Sequence, residues 1–332
     1  MSSSPSKNRP SRNRTRPPVP RSRAAVPARR SPSLASQRVS AYVTRSLIQR
    51  WRKYTGELRT CQLVFAEESV HDLRVAIRRM VSTLDMAGAV IPDRAAKRLR
   101  RDLKRLLDRL NPLRDVQVQV MLVDRMLPRH PRLGVIRTIL LMRERRLIAQ
   151  LSERVKKIKP AAHAPVIRLL REKVERSFYD SSRARTRRAA VIATATAAFA
   201  NAVQLKEMAD RSHPATIHRF RVAFKKFRYK AEMLQPLLPW LRKEQLSAMN
   251  AYQTRMGDIQ DIEVFLGLVR GYAARHRRPG TPPFRPVILE LLSRRRELIR
   301  TFFSSSSELY AFWHITANAP HAVFASAPRR KR

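Results

Sequence analysis

The sequence of 332 residues contains little cysteine and little glycine. Its single cysteine, Cys61, excludes an internal disulfide framework and a cysteine-rich metal site. Only seven glycines occur, and long stretches rich in Leu, Ala, Arg, Lys and Glu favour helices over strands and turns. We therefore expect an all-α protein with little or no sheet.

Long apolar stretches are also scarce. None approaches the roughly 20 residues that are needed to cross a bilayer. The arginine-rich N-terminus lacks the apolar segment that a secretory signal requires. Together with the single cysteine, these features predict a cytoplasmic protein without a membrane span.

Acidic residues are too few to balance the basic ones. The chain has 70 Lys and Arg against 25 Asp and Glu, a formal net charge of +45. Repulsion within such a charge disfavours a compact state unless a polyanion relieves it. Nucleic acid, an anionic membrane surface and inorganic polyphosphate all satisfy this requirement, because charge indicates the sign of a partner and not its identity.

The two ends of the chain differ in composition from its middle. Residues 1–38 hold ten Lys or Arg, seven Pro and no acid, which predicts a disordered basic tail. Residues 319–332 form a second basic tail. The intervening residues 39–318 have a helical pattern and predict one folded domain.

An internal similarity divides this domain into two halves. Residues 70–80 (VHDLRVAIRRM) match residues 217–227 (IHRFRVAFKKF) in chemical class at nearly every position. A second pair, residues 110–118 (LNPLRDVQV) and 256–264 (MGDIQDIEV), follows at nearly the same distance. This pattern predicts an internal duplication.

The predicted halves cover about residues 39–165 and 180–318. They are expected to meet in residues 160–185, where Pro160 and Pro165 suit a connector.

The first repeated segment predicts an amphipathic helix. His71, Arg74 and Arg78 stand at i, i+3 and i+7, which places them on one face. Apolar residues occupy the opposite face: Leu73, Ile77, Met80 and Leu84. Ser69 and Asp72 predict a capping box at the start of the helix.

The second segment repeats the arrangement. His218, Arg221 and Lys225 share one face, and Arg228 and Tyr229 extend its polar side. The other face is aromatic: Phe220, Phe224 and Phe227. Like charges this close repel one another, so an anion that bridges them would stabilise the helix. Recurrence of the pattern favours a binding face over a merely solvated one.

The two basic faces, which we call the ladders (His71, Arg74 and Arg78; His218, Arg221 and Lys225), suit phosphate chemically. Guanidinium groups bind phosphate oxygens in a bidentate fork, ammonium groups act as point charges, and imidazole donates or becomes cationic. Each histidine has arginine at i+3 where a metal site would need a second ligand. We therefore expect no metal and no cofactor.

At these residues the sequence resembles the CHAD family, the conserved histidine α-helical domain, over about residues 40–315. The resemblance implies two pseudo-symmetric helical bundles around a basic central groove, binding of inorganic polyphosphate, and location at polyphosphate granules. It assigns binding roles by motif to His71, Arg74, Arg78, Arg79, His218, Arg221, Lys225, Lys226, Arg228 and Tyr229. Asn111 departs from the family pattern, in which glycine is usual at that turn.

Further basic residues precede the turn at Asn111. Arg101, Lys104 and Arg105 have helical spacing and are candidates for lining the groove, and a solvated outer face explains them equally well.

Asp115 and Asp261 correspond between the halves and suggest a catalytic pair. We prefer to explain them as acids at two helix starts, one after Pro112 and one after Gly257. The sequence offers neither an acidic metal-binding cluster nor a nucleophile beside a base. We expect a binding protein and not an enzyme. Nonspecific nucleic-acid binding is the main alternative, and a polyphosphate-processing enzyme is a weaker one.

Overall fold

The computed structural model describes residue 1 and residues 34–179, 181–276 and 284–313. This part of the chain is helical and has no β-strand, which confirms the predicted all-α class. Its α-helices are α1 (Leu34–Leu63), α2 (Glu67–Val90), α3 (Arg94–Met126), α4 (Gly134–Lys156), α5 (Ala164–Tyr179), α6 (Ser181–Glu207), α7 (Pro214–Leu234), α8 (Lys243–Arg275) and α9 (Arg285–Ser304).

The helices pack in two similar successions. In the first, α1 packs on α2, α2 on α3 and α3 on α4; in the second, α6 packs on α7, α7 on α8 and α8 on α9. Helix α2 also contacts α6 and α7, which joins the two groups. This order is the one that two homologous halves would give, although the duplication itself stays a prediction.

The predicted apolar faces form the core. Leu73, Ile77 and Met80 of α2 are fully buried. Phe220 and Phe224 of α7 are also fully buried, with ring centroids 6.1 Å apart. Because these faces pack inward against other helices, the basic faces of α2 and α7 are left to line a different space.

The connector predicted over residues 160–185 is mostly helix. Pro160 opens a short 3-10 turn, Pro160–His163, and Pro165 lies in the first turn of α5. Proline is tolerated there because the first-turn N–H groups have no partner within the helix. The residues expected to interrupt helices therefore start them.

The helix starts expected near Asp115 and Asp261 are wrong. Pro112 lies inside α3, and Gly257 lies inside α8. Leu110 continues the buried apolar periodicity of α3 up to the proline. This burial outweighs the one backbone hydrogen bond that the missing proline N–H removes.

The capping box expected at Ser69 and Asp72 is replaced by another arrangement. Helix α2 starts at Glu67 after Ala66, and Ser69 Oγ accepts a hydrogen bond from the Ala66 N–H at 3.0 Å. The same hydroxyl donates to the Val64 carbonyl at 2.6 Å. Ser69, the third residue of α2, thus caps the start of the helix. Asp72 lies further along the helix and takes no part in the cap.

The predicted N-terminal tail and the predicted lack of a long apolar segment both need comment. Helix α1 starts at Leu34, inside the predicted tail. Residues 2–33 of that tail and residues 319–332 lie outside the described residues. One segment of α6, Thr186–Glu207, is long and apolar enough to cross a membrane, with a mean hydropathy of 1.2, and a single helix of this kind is weak evidence for a span. Its Val191, Ala195 and Phe199 are buried in the protein core.

Candidate functional site

Helices α2, α3, α6, α7 and α8 enclose a cavity of about 1020 Å³. His71 of α2 and His218 of α7 both line it. The two basic faces predicted from sequence therefore meet in one space.

The cavity has an excess of positive charge. Five arginines and four lysines line it: Arg74, Arg78, Arg100, Arg114, Arg221, Lys104, Lys225, Lys226 and Lys230. Four acids do so: Asp85, Asp108, Asp115 and Asp261. Because the cations outnumber the acids, an anionic ligand would relieve their mutual repulsion.

Arg74 is held inside the wall of the cavity. Its side chain is buried, and Nη1 donates a hydrogen bond to the Leu110 carbonyl of α3 at 2.8 Å. Burial, and then the cation of Arg78, lowers the pKa of Arg74 to about 10, while Asp115 opposes the shift. The guanidinium stays charged at neutral pH and links α2 to α3.

Lys225 lies among other cations of the cavity wall. Burial first, and then the cations of Arg78, Arg221, Arg74 and Arg228, lower its pKa to about 7. A lysine so placed is only partly protonated at neutral pH. An anion beside it would favour the protonated form.

Arg221 and His218 present unpartnered nitrogen atoms. Arg221 Nε and His218 Nδ1 are buried and have no hydrogen-bond partner among the described residues. Burial lowers the pKa of His218, and Arg221 lowers it further. Buried polar atoms without partners are costly; Arg221 Nε can donate to an oxygen of a ligand, and His218 Nδ1 can do so when it carries a proton.

Gly257 gives Arg221 its place against α8. A Cβ atom at position 257 would lie 3.4 Å from Arg221 Nη2, at van der Waals contact, so the guanidinium lies directly over the glycine.

Nine of the thirteen predicted binding residues lie in the cavity wall. They are His71, Arg74, Arg78, Lys104, His218, Arg221, Lys225, Lys226 and Tyr229. The other four, Arg79, Arg101, Arg105 and Arg228, do not line it.

Two of these four residues pair with residues of a neighbouring helix. Arg79 Nη2 lies 2.8 Å from Glu232 Oε1, a pair that ties α2 to α7. Arg228 Nε donates to Gln253 Oε1 at 2.9 Å, and its guanidinium lies over the Tyr229 ring at 4.6 Å. Arg79 and Arg228 therefore lie on α2 and α7 beside the cavity and do not line it.

The other two residues lie on the outer face of α3. Arg101 and Arg105 are exposed, and Arg105 Nη1 lies 3.2 Å from Asp102 Oδ1. Lys104 alone of the three predicted α3 cations faces the cavity. Arg101 and Arg105 therefore lie on the solvated outer face of α3.

Sequence reasoning missed three cations, Arg100, Arg114 and Lys230. Arg100 is paired with Asp85 across α2 and α3, and burial lowers the pKa of Lys230. Arg100 precedes Lys104 by four residues, and Lys230 follows Lys226 by four. Projection of i, i+4 neighbours from residues already chosen would have found both.

The fold and the cavity define an all-α domain with a cationic interior site. Residues 43–270 match the CHAD domain family, so the chain belongs to that family. The family is associated in general with polyphosphate binding.

A solved structure supports the fold. The crystal structure of the CHAD domain from the plant Ricinus communis superposes with a TM-score of 0.53 at 18% sequence identity, covering 87% of this chain and 93% of that chain. No curated protein matches the sequence significantly.

Proposed function

We propose that the chain binds inorganic polyphosphate in this cavity and acts as a binding protein without catalysis. The observation that carries the proposal is the position of Lys225, which is half-buried in the cavity wall and is acted on by the cations of Arg74, Arg78, Arg221 and Arg228. These cations are unfavourable neighbours in a protein interior when no anion is present. A polyanion would make the same arrangement favourable.

The dimensions and chemistry of the cavity support a chain of phosphates. Its α2 wall extends from His71 to Asp85, about 21 Å at the helical rise per residue. Arginine forks and lysine ammonium groups recognise phosphate oxygens without contact to any base. Apart from the two histidines, Tyr229 is the sole aromatic side chain in the described wall, which offers little surface for base stacking.

Competition binding tests the proposal against nucleic-acid binding. Polyphosphate, DNA and RNA are compared at equal phosphate concentration and fixed salt, because affinity for any polyanion depends on salt. We expect polyphosphate to displace labelled DNA and RNA from the full chain. Displacement of polyphosphate by nucleic acid at equal phosphate would instead support the nucleic-acid function.

Binding without catalysis is supported by the surroundings of the carboxylates. Asp85 is paired with Arg100, and no group of three or more metal-ligating side chains occurs in the described part of the chain. Phosphoryl transfer draws on metal ions held by such groups. Incubation with polyphosphate and Mg²⁺ should therefore leave chain length unchanged and release no phosphate, and shortening of the chains would contradict the proposal.

We also propose that the protein is cytoplasmic and associates with polyphosphate granules. Retention at a granule requires a site that binds the polymer, and the cavity supplies one under the proposed function. Fluorescence microscopy of the tagged chain should show foci that coincide with a polyphosphate stain and disperse when the polymer is depleted.

A further inference from the structure

The two ends of the cavity differ in charge. One end, which we call the lysine end, is formed by Arg100, Lys104, Lys226 and Lys230, with Asp85 as the acid paired with Arg100. The opposite end, which we call the acid end, is formed by Asp115, Gln119, Gln260 and Asp261. Arg100 and Gln119 are nineteen residues apart on α3, so the two ends are about 28 Å apart.

Gln119 is an acceptor that lacks a donor. Its side chain is 5% exposed, and Nε2 donates to the Asp261 backbone carbonyl at 3.5 Å. Oε1 is buried and has no hydrogen-bond partner among the described residues. This orientation of the amide is favoured, because exchange of its two atoms would place Oε1 against the Asp261 carbonyl. The acid end therefore lacks a hydrogen-bond donor.

The carboxyl groups at the acid end also favour a ligand that brings a hydrogen-bond donor. Burial raises the pKa of Asp261, while Arg221 and Arg114 oppose the shift and Asp115 adds to it. Two acids and an amide oxygen form a poor surface for a fully ionised phosphate. Arg221 and Arg114 still provide cations for a phosphate that reaches this end.

The cationic ladder does not continue past the acid end. A smaller cavity of about 260 Å³ lies beyond and shares Asp115, Gln119 and Val264 with the main one. The rest of its wall is Pro112, Val116, Leu140, Arg143 and Leu268, which includes one cation. A phosphate polymer that extended through this space would lose nearly all its ion pairs.

Only one part of a polyphosphate chain fits such an end. An internal unit carries one ionised oxygen and no proton at neutral pH. A terminal unit carries a second acidic oxygen, whose pKa is about 6 in phosphate monoesters, so it can hold a proton that a buried acceptor would retain. The protonated oxygen can donate to Gln119 Oε1, while the ionised oxygens contact Arg114 and Arg221.

We propose that the acid end recognises the terminus of a polyphosphate chain, with Gln119 and Asp115 excluding internal units. This inference rests on the proposed function. The cavity then holds a chain end and the units next to it, and the remaining chain leaves past the lysine end.

Blocked chains test the inference. Long polyphosphate of one defined length is compared with the same chain after both terminal units are converted to methyl esters, which removes the second acidic oxygen and leaves the internal units unchanged. Titrations use the full chain at elevated salt, which weakens contacts to exposed charge. We expect blocking to weaken binding about tenfold, the cost of one hydrogen bond to a charged group.

Two further results decide between the possibilities. With unmodified long chains, the number of tight sites should be two per chain at any length, because a linear chain has two ends, and internal sites should fill only at about tenfold higher protein concentration. Equal binding of blocked and unblocked chains would overturn terminus recognition and leave polyphosphate binding intact. Absence of binding to both would overturn the proposed function as well.

Variants connect the effect to the acid end. Asp115→Asn removes a repelling charge and should increase affinity for blocked chains several-fold, a gain that loss of structure cannot produce. Gln119→Leu should bind blocked and unblocked chains alike. Gln117→Leu, which changes the same residue type on α3 outside both cavity walls, should retain the difference. Loss of discrimination in that control, or no gain in Asp115→Asn, would count against the inference.

Discussion

Helices α2 and α7 bring equivalent residues to the cavity and hold them differently. Arg74 of α2 is committed to the Leu110 carbonyl, whereas Arg221 of α7 lies against Gly257 with Nε unpartnered. Arg78 of α2 corresponds to Lys225 of α7, which is half-buried and only partly protonated at neutral pH. The difference teaches that one motif can provide both a cation anchored in the structure and a cation reserved for a ligand.

The largest predicted effect distinguishes the two helices. Arg221→Met with Lys225→Met should weaken polyphosphate binding about a hundredfold, because two hydrogen bonds to charged groups are lost. Arg74→Met with Arg78→Met should weaken it only about tenfold, because Arg74 already spends one donor on Leu110. Titration with a chain of one defined length at fixed salt measures both.

The matched control for these pairs is Arg101→Met with Arg105→Met, which removes two exposed cations of α3 outside the cavity. Its affinity should change less than twofold. Circular dichroism should show unchanged helicity in all three pairs, while loss of the buried bond from Arg74 to Leu110 should lower the free energy of unfolding of the α2 pair. Equal losses from the α2 and α7 pairs would contradict the distinction drawn between the helices.

The second prediction concerns pH and depends on Lys225. Its pKa falls from an ordinary value of 10.5 to about 7 in the folded protein, so between these values the unfolded chain binds more protons. The free energy of unfolding of the unliganded protein should therefore rise with pH across this window. Polyphosphate favours the protonated amine, so affinity should fall about tenfold between pH 7 and 8.5.

Lys225→Arg tests whether the amine of Lys225, and not a neighbouring group, causes this pH dependence. Arginine stays charged throughout the window, so the variant should lose most of the fall in affinity above pH 7. His218 titrates below that range, because burial and Arg221 lower its pKa. Isothermal titration calorimetry in buffers of different ionisation enthalpy, with methyl-blocked chains that cannot carry a proton on the terminal unit, should detect proton uptake on binding in the wild type only. Uptake of the same size in the variant would contradict the assignment to Lys225.

A smaller effect is expected from Arg79, which resembles a ligand-binding residue in sequence but pairs with Glu232. Arg79→Met should reduce the free energy of unfolding by about 0.5 kcal/mol, since the pair is partly exposed to solvent. Polyphosphate affinity should change less than twofold. Urea denaturation and titration measure these effects, and a loss of affinity without a loss of stability would place Arg79 in the site.

Much of the fold could be predicted because periodicity reports burial directly. The apolar faces with Leu73 and Ile77 in α2 and Phe220 and Phe224 in α7 were predicted correctly. Helix boundaries were not, because Pro112 and Gly257 are local signals that tertiary packing overrides. A proline in the first turn and a proline within a long helix look alike until the flanking residues are known to be buried.

The cavity was predictable along the ladder helices and less so elsewhere. On α2 and α7, a repeated pattern placed His71 and His218 in one wall. On α3, adjacent cations cannot be assigned to an inner or an outer face without the position of the neighbouring helix, so Arg101 was chosen and Arg100 was missed. Gln119 gave no signal, because an unpartnered atom is a property of three-dimensional contacts alone.

The smallest predicted effect tests how closely Arg221 is held. Gly257→Ala would bring a methyl group within 3.4 Å of Arg221 Nη2, whereas Gly267→Ala, also inside α8, would meet no atom within 4 Å. Both should gain about 0.5–1 kcal/mol of stability, because alanine is the better helix former. Only Gly257→Ala should weaken polyphosphate binding, by about twofold, since the methyl group restricts the movement of a flexible guanidinium. Thermal unfolding measures the stability of the two variants, and titration measures their affinity for polyphosphate. Equal affinities would mean that Arg221 does not need the space beside residue 257, and its placement would then depend on α7 alone.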